Sequence, residues 1–143
     1  MKYGRKTNAM LGVLFHRRHQ QLGETATGLA YRRMTLDAAD RYLATDPSMA
    51  DRPWPVELGI VAFLEFAAYE LTGSRQYLDR ARHSVELGVA TYWEGGSPLP
   101  KADPACAHYE NITRADTLAL AALKLYVVDN SLTDTIGISD IDR

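Results

Sequence analysis

The sequence has very little of what marks secreted or membrane proteins. It contains one cysteine, Cys106, so no disulfide can form within the chain, and nothing indicates adaptation to an oxidising compartment. No apolar run approaches the roughly 18 residues that a membrane-spanning helix needs. The apolar run at residues 11–15 is too short for a signal peptide and leads directly into His16-Arg17-Arg18-His19. We therefore expect no membrane association and a cytoplasmic location, or an extracytoplasmic one if a longer parent chain carries a signal peptide.

The chain also has no excess of positively charged residues. The chain has 16 Lys and Arg against 18 Asp and Glu, for a formal net charge of −2. Proteins that bind nucleic acid non-specifically carry a positive excess, so we expect no nucleic-acid partner. The chain has 143 residues, of which 46% are hydrophobic and 24% are charged. This length and composition are typical of a single folded domain.

Proline is absent from most of the chain and confined to two clusters. Its six copies stand at positions 47, 53 and 55 and at positions 98, 100 and 104. Because proline breaks helix interiors, these clusters predict two long loops, at residues 45–54 and at about 94–112. Between the loops, apolar residues recur at helical spacing. The expected helices span residues 5–22, 24–44, 56–71 and 75–93.

The second of these helices carries an apolar stripe of Leu29, Ala30, Met34, Ala38 and Leu43. Thr113 is expected to cap a last helix, with Asp116 as its capping-box partner. Together these elements form one domain over residues 1–128. A polar C-terminal tail follows over residues 129–143.

An internal repeat becomes visible when the chain is shifted by about 50 residues. The shift aligns Gly23 with Gly73, Leu14 with Leu64, Leu11 with Val61 and Tyr42 with Tyr92. Each unit reads as a helix, a tight glycine turn, a helix and a long loop. The predicted fold class is therefore all-α, with antiparallel helix hairpins repeated about every 50 residues, as in an αα solenoid or an αα toroid. The odd helix count leaves an apolar face uncovered, so we expect self-association or further hairpins outside this chain.

Segment Ala67–Arg82, with the sequence AAYELTGSRQYLDRAR, resembles the helix-turn-helix of (α/α)-toroid carbohydrate-active proteins. These include the six-hairpin glycosidases, the sugar epimerases of that fold and several polysaccharide lyases. Segment Ala38–Leu43 is similar to them as well, and the resemblance covers about residues 11–126. It implies an arc of an (α/α) toroid, with too few hairpins to close a ring, that binds or processes an oligo- or polysaccharide. The resembling segment itself carries no catalytic residue.

The two tryptophans would share one end of such a fold. Long loops gather at one end of an αα toroid and short turns at the other, so Trp54 and Trp93 would both stand at the long-loop end. Flat indole faces stack well on sugar rings. Because large aromatic side chains are mostly buried, the alternative is that each tryptophan fills the core at a helix end.

The second long loop carries the best candidates for catalysis. Loops longer than about 12–15 residues are usually functional or disordered. A histidine, a tyrosine, a carboxylate and an arginine could supply the base, the acid and the charge neutralisation for β-elimination of a uronate. The predicted catalytic residues are His108, Tyr109, Glu110 and Arg114. The predicted substrate-binding residues are Trp54, Trp93 and Asp103.

Other interpretations stay open for the same residues. Glycoside hydrolysis would need two carboxylates, Glu110 with one of Glu94, Asp103 or Asp116. Alternatively, Glu110 and Asp116 only stabilise the N-terminus of the last helix, because their negative charges interact favourably with the helix dipole. The whole chain would then be a non-catalytic interaction module or an inactive fragment of a longer enzyme.

A metal site is not expected. His16 and His19 stand three residues apart, a spacing that can place two metal ligands on one helix face. No carboxylate follows in a known arrangement such as H-E-x-x-H, so we expect an exposed or capping histidine pair. The sequence points to no particular cofactor.

Overall fold

The computed structural model describes residues 6–47, 53–105, 114–132 and 136–138. Every regular element within those residues is an α-helix, which confirms the predicted all-α fold class. The helices are α1 (Lys6–Leu22), α2 (Ala26–Leu43), α3 (Pro55–Thr72), α4 (Arg75–Tyr92) and α5 (Asp116–Asp129). Helices α1 to α4 begin and end close to their predicted bounds. None of the described helices combines the length and the apolar character needed to cross a membrane.

The first four helices form two hairpins that share one type of turn. Gly23 ends α1 and Gly73 ends α3, with φ angles of 58° and 67°. Glycine adopts this left-handed conformation without steric cost. The amide N–H groups of the two glycines donate to the carbonyl oxygens of His19 and Tyr69, each at 2.7 Å. The glycine turns predicted from the repeat are therefore present in both hairpins.

Helix α3 lies at the centre of the fold and contacts each of the other four described helices. All its residues from Pro55 to Ala68 are buried, which fits a sequence that is apolar on nearly every side of the helix. Pro55 occupies the first helical position, where proline is well tolerated. The Glu57 carboxylate accepts a hydrogen bond from the Trp54 amide N–H at 2.7 Å. The start of α3 is thus fixed beside one of the two tryptophans.

Helix α5 packs on α3 and α4 where two glycines leave room for it. A Cβ atom on Gly59 would lie 2.8 Å from the backbone of Thr117 and Leu118. A Cβ atom on Gly88 would lie 2.6 Å from Cδ1 of Leu118, which is fully buried. The two glycines therefore allow three helices to approach closely around one leucine.

The start of α5 differs from the prediction. The helix begins at Asp116 with Ala115 as its N-cap, and the predicted cap, Thr113, lies outside the described residues. Arg114 has a φ angle of 49°. A right-handed helix cannot contain this left-handed conformation, so α5 begins only after it.

The apolar stripe of helix α2 is only partly turned to the core. Leu29 and Met34 of the stripe are each 43% exposed. The buried residues of α2 are instead Gly28, Thr35, Ala39 and Tyr42. Thr35 Oγ1 donates to the Gly12 carbonyl oxygen of α1 at 3.3 Å. Small and polar residues permit this close approach of the two helices. Leu29 and Met34 consequently face outward, whereas Leu36 and Leu43 are partly buried against the core.

After α5 the chain folds back onto the helices. The Leu132 amide N–H donates to the Val127 carbonyl oxygen at 2.9 Å, and Ile138 is partly buried against the core. Part of the segment predicted as a polar tail therefore contacts the helix bundle.

Candidate functional site

The two tryptophans lie at the same end of the helix bundle. Trp54 immediately precedes α3, and Trp93 immediately follows α4. The Tyr92 hydroxyl donates a hydrogen bond to the Pro53 carbonyl oxygen, which joins the two segments beside them. Helix α5 also begins here, against the first turns of α3. We call this end, which carries Trp54, Trp93 and the start of α5, the long-loop end.

The surroundings of the two indole rings differ. Trp54 is 50% exposed, so the alternative that it fills the core is wrong. Trp93 is partly buried, and its Nε1 donates to the Ser97 carbonyl oxygen at 2.8 Å. The Lys101 amide N–H donates to a carbonyl oxygen at the end of α4 at 2.6 Å, and its ammonium group pairs with the Glu94 carboxylate. These contacts hold residues 94–101, the first part of the second long loop, against Trp93.

Among the other predicted site residues, the structure describes Asp103 and Arg114. The Asp103 carboxylate accepts a hydrogen bond from the Ala105 amide N–H at 2.8 Å, which stabilises a turn within the loop. Arg114 is partly buried and stands just before α5, so it belongs to the long-loop end. The residues that lie outside the described ranges are His108, Tyr109 and Glu110.

A buried carboxyl group in α3 was not among the predicted site residues. Glu65 is fully buried, and neither of its carboxyl oxygens has a hydrogen-bond partner in the described structure. Burial raises the pKa of Glu65 from 4.5 to about 8. The guanidinium of Arg80 opposes the rise, and the charge of Asp40 adds to it. Glu65 is therefore mostly protonated at neutral pH.

The polar groups near Glu65 have partners of their own. The Tyr77 hydroxyl donates to the Asp40 carboxylate at 2.7 Å, and burial together with this bond raises the pKa of Tyr77 to about 12. Arg80 donates to two backbone carbonyl oxygens at the end of α2, each at 3.1 Å. A buried group with a perturbed pKa is a candidate for proton transfer. In the sequence, Glu65 stands out only as the single acidic residue within the apolar run 58–68.

A second charged cluster joins α1, α3 and α5. Glu70 Oε2 lies 3.2 Å from His16 Nε2, and Glu70 Oε1 accepts a hydrogen bond from Lys124 Nζ at 2.8 Å. His16 lies in α1, Glu70 in α3 and Lys124 in α5. Each partner is therefore far from Glu70 along the chain, at 54 residues. The hydrogen bond with His16, followed by that with Lys124, lowers the pKa of Glu70 to about 2. The three side chains line a cleft of about 180 Å³.

The histidine pair of α1 is buried, contrary to the prediction of an exposed or capping pair. His16 is 7% exposed and His19 is 9% exposed. His19 Nδ1 lies 3.1 Å from the Gly28 carbonyl oxygen, across the turn of the first hairpin. Each histidine thus contacts a different partner. Within the described ranges, no group of three or more His, Cys, Asp or Glu side chains is placed to hold a metal ion.

Comparison with known proteins gives no relative: the chain matches no protein-family model, no curated protein and no solved structure. Function is therefore inferred from the residues and their arrangement.

Proposed function

We propose that this protein binds carbohydrate at the long-loop end and that its hairpins form an arc of an (α/α) toroid. The observation that carries the proposal is the position of Trp54. Its indole ring is half exposed, at the end of the bundle that also holds Trp93. The resemblance of Ala67–Arg82 to the hairpins of carbohydrate-active toroid proteins supports the same class of ligand, as an analogy between folds.

An exposed indole suits a sugar because the C–H face of a pyranose ring is apolar while its hydroxyl groups are polar. The ring can stack on Trp54 while its hydroxyl groups bond to polar groups of the loops. Arg114 stands at the same end, and a guanidinium matches the planar geometry of a carboxylate. We therefore expect oligosaccharides that contain a uronate to bind most tightly.

Processing of the bound sugar is a further part of the proposal. His108, Tyr109 and Glu110 precede Arg114 closely in the chain. Together they could supply the base, the acid and the charge neutralisation that β-elimination beside a uronate carboxylate requires. The catalytic roles of these residues stay predictions.

Substitution of Trp54 tests the binding proposal. Trp54→Ala should weaken binding of an acidic oligosaccharide by roughly 2- to 12-fold, because aromatic stacking contributes about 0.5–1.5 kcal/mol beyond the area it buries. Calorimetric titration with neutral and acidic oligosaccharides measures the affinity. Tyr126→Ala is the matched control, because Tyr126 is 59% exposed but lies in the last turn of α5, away from the long-loop end. Wild-type affinity in Trp54→Ala, or an equal loss in Tyr126→Ala, would refute the proposed site.

A non-catalytic interaction module is the second candidate function, and the first hairpin favours it. Four large apolar side chains of α1 and α2 are at least 40% exposed, namely Leu11, Leu14, Leu29 and Met34. Apolar surface gathered on one hairpin is typical of a surface that a protein partner covers. Self-association, or contact with further hairpins of the same kind, would cover it.

A further inference from the structure

We infer that two copies of this chain pair through one face of the first hairpin. The α1–α2 face comprises Leu11 and Phe15 of α1 together with Met34, Asp37 and Arg41 of α2. These side chains line an open groove of about 280 Å³. The inference goes beyond carbohydrate binding and does not depend on it, because the α1–α2 face includes none of Trp54, Trp93 and Arg114.

The second hairpin shows how the corresponding positions are covered. In the internal repeat, Leu11 corresponds to Val61 and Leu14 to Leu64. Val61 and Leu64 are 1% and 0% exposed, whereas Leu11 and Leu14 are 43% and 40% exposed. Helices α3 and α4 are described throughout, and no large hydrophobic residue in either of them is exposed. The α1–α2 face is thus the position in the repeat where a further pair of helices would pack.

Two opposite charges border the groove on this face. Asp37 and Arg41 stand one turn apart on α2, where an aspartate and an arginine often pair with each other. Within the part of the chain that the structure describes, neither side chain forms a hydrogen bond or an ion pair. Both charges are consequently available to a partner that covers the apolar side chains between α1 and α2.

A second copy fits this arrangement because the face is complementary to itself. In a dimer with two-fold symmetry, the same patch is used by both copies, and each contact between two different residues occurs twice. With the two α2 helices antiparallel, Asp37 of each copy faces Arg41 of the other. The two ion pairs then lie close to the two-fold axis, and the apolar side chains of Leu11 and Met34 from both copies pack beside them.

Helix α5 offers the main alternative surface, and it lacks such charges. Leu123 is 48% exposed there. The neighbouring Lys124 is paired with Glu70, and Asp129 is paired with Arg82. Nothing described on α5 would therefore orient a second copy in the way that Asp37 and Arg41 do on α2.

Molar mass in solution tests the proposed contact. In sedimentation velocity, the wild-type mass should rise with concentration from the 15.9 kDa of one chain toward twice that value. Leu11→Glu should stay at the mass of one chain, because it places a carboxylate in the apolar part of the contact. Leu123→Glu, which changes a leucine of similar exposure on α5, should associate like the wild type. Circular dichroism of each variant checks that the helices are retained.

Exchange of the two charges tests the two-fold arrangement itself. Asp37→Lys alone and Arg41→Glu alone each set like charges against one another in both of the symmetry-related pairs. Each variant should therefore associate roughly tenfold more weakly than the wild type. An equimolar mixture of the two variants should recover a dimer. In the mixed dimer each introduced lysine faces an introduced glutamate, and the remaining arginine faces the remaining aspartate.

Three results would overturn the inference. The first is a wild-type protein that stays monomeric at every concentration. The second is loss of association in Leu123→Glu but not in Leu11→Glu, which would place the contact on α5. The third is a mixture of the two charge variants that associates no better than either variant alone. None of these results bears on saccharide binding at the long-loop end, which is measured separately.

Discussion

At the scale of single residues, Glu65 departs furthest from what a helical core usually contains. Buried polar groups nearly always have a hydrogen-bond partner, yet both oxygens of this carboxyl group lack one in the described structure. A neutral acid costs far less in this position than a carboxylate would. The raised pKa of Glu65 is the direct consequence, and it makes the stability of the fold depend on pH.

The sign of that dependence follows from the two pKa values. The unfolded chain ionises Glu65 near pH 4.5, whereas the folded chain holds the proton up to about pH 8. The contribution of Glu65 to the free energy of unfolding should thus be intact below pH 4.5 and fall as the pH rises to about 8. Glu65→Gln has nearly the same shape and cannot ionise, so it should remove this fall. Urea unfolding of both proteins at several pH values across the window measures the difference.

An exposed glutamate gives the control for this comparison. Glu86 lies on the surface of α4, and Glu86→Gln should keep the pH dependence of the wild type. If Glu65→Gln showed that same dependence, the raised pKa of Glu65 would be wrong.

At the scale of helices, the position of α5 depends on residues that are small enough to let it approach. Gly59 of α3 faces backbone atoms of α5, whereas Gly88 of α4 faces the end of the Leu118 side chain. A backbone cannot move aside as the end of a side chain can. The two glycines should therefore differ in how well they tolerate an added methyl group.

Substitution of Gly59 measures how closely α5 is packed. Glycine to alanine inside a helix usually stabilises it by up to about 1 kcal/mol. Here the added Cβ would lie 2.8 Å from the α5 backbone, so we expect Gly59→Ala to lower the free energy of unfolding by about 1–3 kcal/mol. Gly88→Ala should cost less, because Leu118 can shift. Urea unfolding measures both changes.

Gly95 provides the reference for the two substitutions. A Cβ atom on Gly95 would meet no atom within 4 Å, so Gly95→Ala should leave stability nearly unchanged. Wild-type stability in Gly59→Ala would show that α5 is not held against α3 as described.

The helices could largely be predicted from the sequence, whereas their contacts could not. Proline clusters and the glycines at 23 and 73 mark where helices end, because these residues act through local backbone geometry. The buried face of α2 depends on the close contact of Thr35 with Gly12 of another helix, which no pattern within α2 reveals. The start of α5 depends on the backbone conformation of Arg114, a residue type that usually continues a helix.

At the scale of the whole molecule, we propose two separate surfaces for partners: the long-loop end and the α1–α2 face. The repeat was enough to predict that Trp54 and Trp93 share one end, because the chain returns to that end before each hairpin. The exposure of Trp54 depends on how the loops pack around it and could not be read from the sequence. The sequence shows Glu65 as an acidic residue in an apolar run, but it does not show that the carboxyl group lacks a hydrogen-bond partner within the described residues.

Carbohydrate binding at the long-loop end is tested most directly by the indole signals of the two tryptophans. The chain has only two, so the indole region of a nitrogen–proton correlation spectrum should hold one signal for Trp54 and one for Trp93. A Trp54→Phe variant assigns them. On titration with acidic and neutral oligosaccharides, we predict that the Trp54 signal shifts and saturates with one class of sugar while the backbone signal of Tyr126 stays in place. Indole signals that stay unchanged across every sugar would contradict the proposal.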